Sequence, residues 1–200
     1  MNKRAITAAP INDMIAERWS PRAFDETKPV EPEKLLSVLE AARWTPSCFG
    51  DEPWRYVVCD RFEDEAAWQS LLACLAEKNQ LWAKHAPVLM ASCADSAFRQ
   101  NGKPNRWGEH DTGAASISLC LQATALGLAS HQMGGFDIDA VREAFAVPDQ
   151  FTPMAVIAVG YAGNIADLHE DFRPMEEGER KRQPLGENFF VGKWGRGVQV

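Results

Sequence analysis

The stretch 111-DTGAASISLCLQATALGLASHQMGGFD-137 decides the fold class. From Glu109 to Leu126 small and apolar residues run nearly all the way round a helix: Gly113, Ala114, Ala115, Ile117, Leu119, Cys120, Leu121, Ala123 and Leu126. A helix apolar on every side is buried on every side. In a chain of 200 residues that predicts a central helix, or one packed against a second subunit. Gly127 can cap it, because glycine adopts the left-handed conformation that ends helices. Leu128 to Met133 then reads as a short strand ahead of a Gly134-Gly135 turn.

On the N-terminal side, Pro87 to Cys93 reads as a largely buried strand, and residues 95–108 as a polar, mobile loop that could cover a site. A helix with Trp68, Leu71, Leu72 and Leu75 on its apolar side is expected to reach about Glu77. Tyr56 to Asp60 is a strand, preceded by the connection 45-TPSCFGDEPWR-55. Pro32 suits the first turn of a helix burying Leu35, Leu36, Val38, Leu39 and Ala42. Ile11, Met14, Ile15 and Arg18 fit a short helix that must stop before Pro21. On the C-terminal side come a helix from Asp139 to Phe145 and a strand from Met154 to Gly160. The tail 180-RKRQPLGENFFVGKWGRGVQV-200 has no periodicity, yet its Phe189, Phe190, Val191 and Trp194 suggest docking on a partner chain. The pattern is α+β, with helices around a modest sheet and without regular βαβ alternation. No linker or repeat divides residues 1–200, so one domain is expected.

A net charge of −7 and a pI near 5.2 disfavour a nucleic-acid binder. No apolar run approaches the ~20 residues of a membrane helix, and the N-terminus lacks a signal-peptide pattern. Five widely spaced cysteines without C-x-x-C suggest reduced thiols and a cytoplasmic setting. The four histidines show no metal spacing.

Dinucleotide, P-loop and serine-hydrolase signatures are absent. Cys48 is a conceivable nucleophile only if a cation or base stands near it. Two cationic clusters are more informative: 18-RWSPR-22 and 180-RKR-182. Arginine forks and a serine hydroxyl suit a phosphate, although such clusters are more often solvated surface.

Taken together, four blocks in order resemble the nitroreductase family of FMN-dependent oxidoreductases. They are 18-RWSPRAF-24, 41-AARWTPSCFGDEPWRYVV-58, the 111–137 stretch and 180-RKRQPL-185. The resemblance implies an α+β fold with a mixed or antiparallel sheet, and a homodimer with FMN at the interface. By position, Arg18, Ser20 and Arg22, with Trp19 between them, would contact the phosphate, ribityl chain and pyrimidine side of FMN. Arg180 and Arg182 would close on its phosphate. Pro46, Ser47, Cys48 and Gly50 would line the ring, mainly by backbone and from the other chain. Gln132, Met133, Gly134 and Gly135 would bring backbone close to the ring.

The flavin would carry the chemistry, so no catalytic acid–base dyad is implied. NADH or NADPH would donate, and a nitroaromatic, quinone or similar small molecule would accept, in a ping-pong reaction. Two alternatives remain: a flavin-binding sensor or carrier, and a flavin enzyme dedicated to one metabolite. The sequence departs from the family pattern at Gly50 and Glu52, where amide residues are common. Glu52 would oppose ring reduction unless it points away or pairs with an arginine such as Arg55.

Overall fold

The computed structural model describes residues 3–199. Helix α1 (Asp13–Glu17) is capped by the Asn12 side chain, which accepts from Met14 N–H. Helix α2 (Pro32–Arg43) starts on its proline, whose missing N–H costs nothing in the first turn. Strand β1 (Trp54–Asp60) follows the 45–53 connection. The helix expected to reach Glu77 is instead two. Helix α3 (Glu65–Ala73) ends early, and helix α4 (Glu77–Ala83) was not foreseen. Between them Leu75 makes a backbone bridge to Phe136, and the Gly135 carbonyl accepts from Ala76 N–H at 3.0 Å. A tertiary contact thus breaks a continuous apolar pattern.

Strand β2 (Val88–Asp95) is buried at every position, as its unbroken apolar run requires of a central strand. Helix α5 (Gly108–Ala125) follows, then β3 (Ala129–Met133), α6 (Ile138–Ala144) and β4 (Phe151–Gly160). Two short helices, α7 (Arg173–Glu177) and α8 (Leu185–Asn188), lie in the C-terminal segment. The sheet is antiparallel, in the order β1-β2-β4-β3.

One sheet face packs on α5 and α2, through Met90, Ile157, Val159, Leu119 and Val38. The other packs on α3 and α4, through Leu89, Ala158, Trp68 and Trp82. Helix α5 therefore sits against the sheet, as its composition predicts. Only part of its circumference is covered within one chain: Ala115, Leu119, Cys120 and Ala123 are buried, whereas Ile117 is 41% exposed. Gly127, at φ +73°, ends the helix and turns the chain into β3. Four cysteines, Cys59, Cys74, Cys93 and Cys120, lie in the core, where burial pushes each thiol up, Cys59 to about 11. They behave as small hydrophobes. No helix among the described residues is long and apolar enough to cross a membrane.

Candidate functional site

The N-terminal and C-terminal cationic clusters meet beside the C-terminal half of α5. Arg180 reaches back to α1, donating through Nη1 to the carbonyls of Lys3 (2.8 Å) and Ala16 (2.7 Å). That link brings Arg180 within electrostatic range of both Arg18 and Arg182; burial and then those two charges push its guanidinium down. Arg18 donates to Ser20 Oγ at 3.3 Å, and Arg182 to the neighbouring Lys181 carbonyl. Among the described residues, no carboxylate forms an ion pair with Arg18, Arg180 or Arg182. Three arginines without an ion-pair partner among the described residues, in a chain of net charge −7, are the candidate for holding an anion.

Arg22 is placed differently. Its backbone N–H donates to Glu176 Oε2 at 3.1 Å, and its Nη1 donates to Glu176 Oε1 at 3.4 Å. Glu176 is fully buried, and the Arg22 guanidinium lies over Trp82 and Phe172. Trp19 carries the Lys3 ammonium over its ring at 4.7 Å. A cavity of about 240 Å³ has Glu17, Arg18, Trp19, Pro21, Ser130 and Glu176 among its lining residues, while Arg180 and Arg182 line a second cavity of about 440 Å³. Ser130 Oγ is buried without a hydrogen-bond partner among the described residues.

Strand β3 forms the adjoining wall. His131 Nδ1–H donates to the Pro21 carbonyl at 3.0 Å, and its ring packs 4.5 Å from Trp82. Burial pushes the imidazole down to about 4, with Arg22 and Arg18 adding to the effect, so the ring is neutral near pH 7. Gln132 donates to Cys120 Sγ at 3.5 Å. Met133 is buried in the core and pairs with Val156 of β4. The two glycines differ. A Cβ on Gly134 would meet nothing within 4 Å, whereas one on Gly135 would lie 2.8 Å from Asn79 Nδ2. At Gly135 a Cβ would press only on the end of the Asn79 side chain, and Gly134 faces open space.

The 45–52 loop lies at the other end of α5. Cys48 N–H donates to Asp111 Oδ2 at 2.8 Å, and Ser47 Oγ accepts from Glu52 N–H at 3.0 Å. Pro46 is exposed. Phe49, Gly50 and Glu52 all have left-handed backbones, at φ +56°, +64° and +51°. For Phe and Glu that conformation costs about 1–3 kcal/mol each and persists only where surrounding contacts impose it. Asp51 supplies them. Its carboxylate is buried and accepts from Arg99 N–H (2.9 Å) and Asn105 Nδ2 (3.4 Å). Residues 95–108, expected as a mobile loop, are thereby tied to this one, and Phe49 meets Phe98 edge-on at 5.9 Å.

Arg55 donates to the backbone carbonyls of Glu52 and Trp54, and no ion pair joins it to Glu52 among the described residues. Among the described residues, the hydrogen bond given for Cys48 is from its backbone N–H to Asp111, with no His, Lys or Arg partner.

Cys48 is anchored at Asp111, while Arg18 acts on Cys120. Nine helical residues separate those points, about 14 Å at 1.5 Å per residue. Within one chain the two groups of candidate residues therefore stand apart. Reading the sequence missed Asp51, Asp111, His131 and Glu176. Asp111 is one of two acids, with Glu109, in the first turn of α5, and only the fold shows that it is the buried one.

This architecture has close counterparts. The structure described as an oxidoreductase containing FMN superimposes with a TM-score of 0.89, at 35% identity over 98% of each chain. A nitroreductase family protein from Clostridium difficile gives 0.69 at 28% identity, covering 90% of this chain and 96% of its own. A 15.4 kDa protein of Mycolicibacterium smegmatis with no assigned role is 35% identical over 124 residues, 62% of this chain and 82% of its own. The nitroreductase family model matches residues 15–161. With that match over most of its length, the chain belongs to the nitroreductase family.

Proposed function

We propose that the protein is an FMN-dependent oxidoreductase that works as a homodimer. The convergence of Arg18, Arg180 and Arg182 without a carboxylate partner carries this reading, because it supplies the charge that a flavin phosphate requires. Ser20 adds a hydroxyl beside Arg18, and Gly134 leaves room for a flat ring to approach β3. The match to a structure containing FMN over nearly the whole chain supports the same cofactor.

A second copy would bring the Pro46–Cys48 backbone and Gly50 against the ring, since these residues are remote from the arginines of their own chain. Exposed Ile117 on α5, together with exposed Phe189, Val191 and Trp194 in the tail, offers apolar surface for that pairing.

When bound, FMN would accept a hydride from NADH or NADPH and deliver electrons to a nitroaromatic, quinone or similar small acceptor. The protein's part is to hold and orient. Arg18, Arg180 and Arg182 would hold the phosphate, and Asp111 fixes the Cys48 N–H at the lining loop. The neutral His131 keeps the Pro21 carbonyl, and hence the 18–22 segment, in register with β3. The purified protein should be yellow, should bleach anaerobically on addition of NADH or NADPH, and should show parallel double-reciprocal plots. A colourless protein that ignores added FMN would refute the proposal.

A further inference from the structure

Arg22 pairs with the buried Glu176, and the charge balance of the pair has consequences. The Glu176 side chain is 1% exposed and accepts from both the backbone and the guanidinium of Arg22. The Arg22 side chain is one quarter exposed, and Glu176 is its only hydrogen-bond acceptor among the described residues. A guanidinium has five N–H donors, so most remain free for a ligand. Arg22 is thus aimed and partly neutralised by one carboxylate, while Arg18, Arg180 and Arg182 have none.

We propose that Glu176 is a positioning residue that sets the reduction potential of the bound flavin by holding Arg22 and cancelling its charge, an inference that rests on the FMN reading above. Hydride transfer brings two electrons and one proton to the ring system, a net gain of one negative charge. A full cation at the pyrimidine edge favours that gain; a cation paired with a buried carboxylate favours it less. Two sets of arginines therefore divide the work. The unpaired set binds the phosphate, whose charge does not change in the reaction. By its position in the family motif, the paired one would stand at the pyrimidine side of the ring, the part of the ligand whose charge does change.

The test is an anaerobic redox titration of the FMN-loaded protein, compared with Glu176→Gln and with the double variant Arg22→Gln/Glu176→Gln. Glutamine keeps the shape and the acceptor for Arg22 N–H while removing the negative charge. Glu176→Gln should move the equilibrium toward reduced flavin at least tenfold, about 30 mV for a two-electron couple. In the double variant both charges are gone, and the potential should return to within about threefold of wild type in equilibrium constant. A purely structural role for Glu176 gives no reason for that return. FMN-loaded Glu176→Gln with an unchanged or lowered potential would overturn the proposal. If that variant does not fold, the double variant decides: agreement with wild type supports the proposal, and a tenfold displacement overturns it. A wild type that takes up no FMN would instead overturn the cofactor reading itself.

Discussion

The two ends of helix α5 are built on opposite principles. At its C-terminal half, cations from distant parts of the chain are collected in ordinary backbone conformations and left without counter-charges. At its N-terminal end, strained backbone at Phe49 and Glu52 is held in shape by two buried carboxylates, Asp51 and Asp111. The first region stores electrostatic free energy that an anion can release. The second stores conformational strain and presents backbone and an aromatic side chain in a fixed outline. Affinity should therefore depend on the first region, and fit on the second.

The largest effect should come from stripping charge at the arginine end. Arg18→Ala/Arg182→Ala loses two charge-assisted hydrogen bonds, each worth about 1.5–3 kcal/mol. FMN affinity, followed by fluorescence quenching, should fall at least a hundredfold while the melting temperature hardly changes. Unaltered affinity would show that the phosphate lies elsewhere.

Next in size is a pH effect confined to the same end. His131 titrates at about 4 in the fold because burial disfavours its charged form, against an ordinary value of about 6.5. A base whose folded value is depressed contributes full stability above about pH 6.5 and loses it as pH falls toward 4. The loss should reach about 2–3 kcal/mol. Chemical denaturation across that window should show the slope, and His131→Asn should flatten it.

Asp51→Ala attacks the other end. It leaves Arg99 N–H and Asn105 without their acceptor, and should cost about 2 kcal/mol of stability. FMN affinity should change far less than in the arginine variant; a comparable loss of affinity would erase the division between the two ends. The smallest effect belongs to Phe49→Gly. Relief of left-handed strain offsets the lost contact with Phe98 and the entropy of glycine, so stability should shift by no more than about 1 kcal/mol. The same variant should alter the KM for flat aromatic acceptors.

The two ends also differ in how far the sequence reveals them. Arg18, Ser20, Arg180 and Arg182 are visible as residue types, because a phosphate needs such groups whatever the backbone does. Strand β2 and the second half of β4 are legible for a similar reason, since burial on both faces leaves an apolar run, whereas α5 is apolar all round although its own chain covers only part of it. The break between α3 and α4 is not legible, because it comes from backbone pairing of Leu75 with Phe136, more than sixty positions away. Nor are the clamps. Asp51 sits in a turn-like run where an acid is commonplace, and Glu176 lies in a charged stretch that resembles solvated surface. Their importance comes from burial, which only the fold decides. The sequence marks Gly50-Asp51-Glu52 as the unusual part of the 45–55 connection, and among these Asp51 is the residue that holds it, through a burial the sequence does not show.

Titration of flavin-free protein with FMN and with riboflavin, which has the ring but lacks the phosphate, tests the arginine site most directly. FMN should bind at one per chain and at least a hundredfold more tightly than riboflavin, with the gap closing in Arg18→Ala/Arg182→Ala. Equal affinity for the two, or no uptake of either, would contradict the assignment of Arg18, Arg180 and Arg182 to a flavin phosphate.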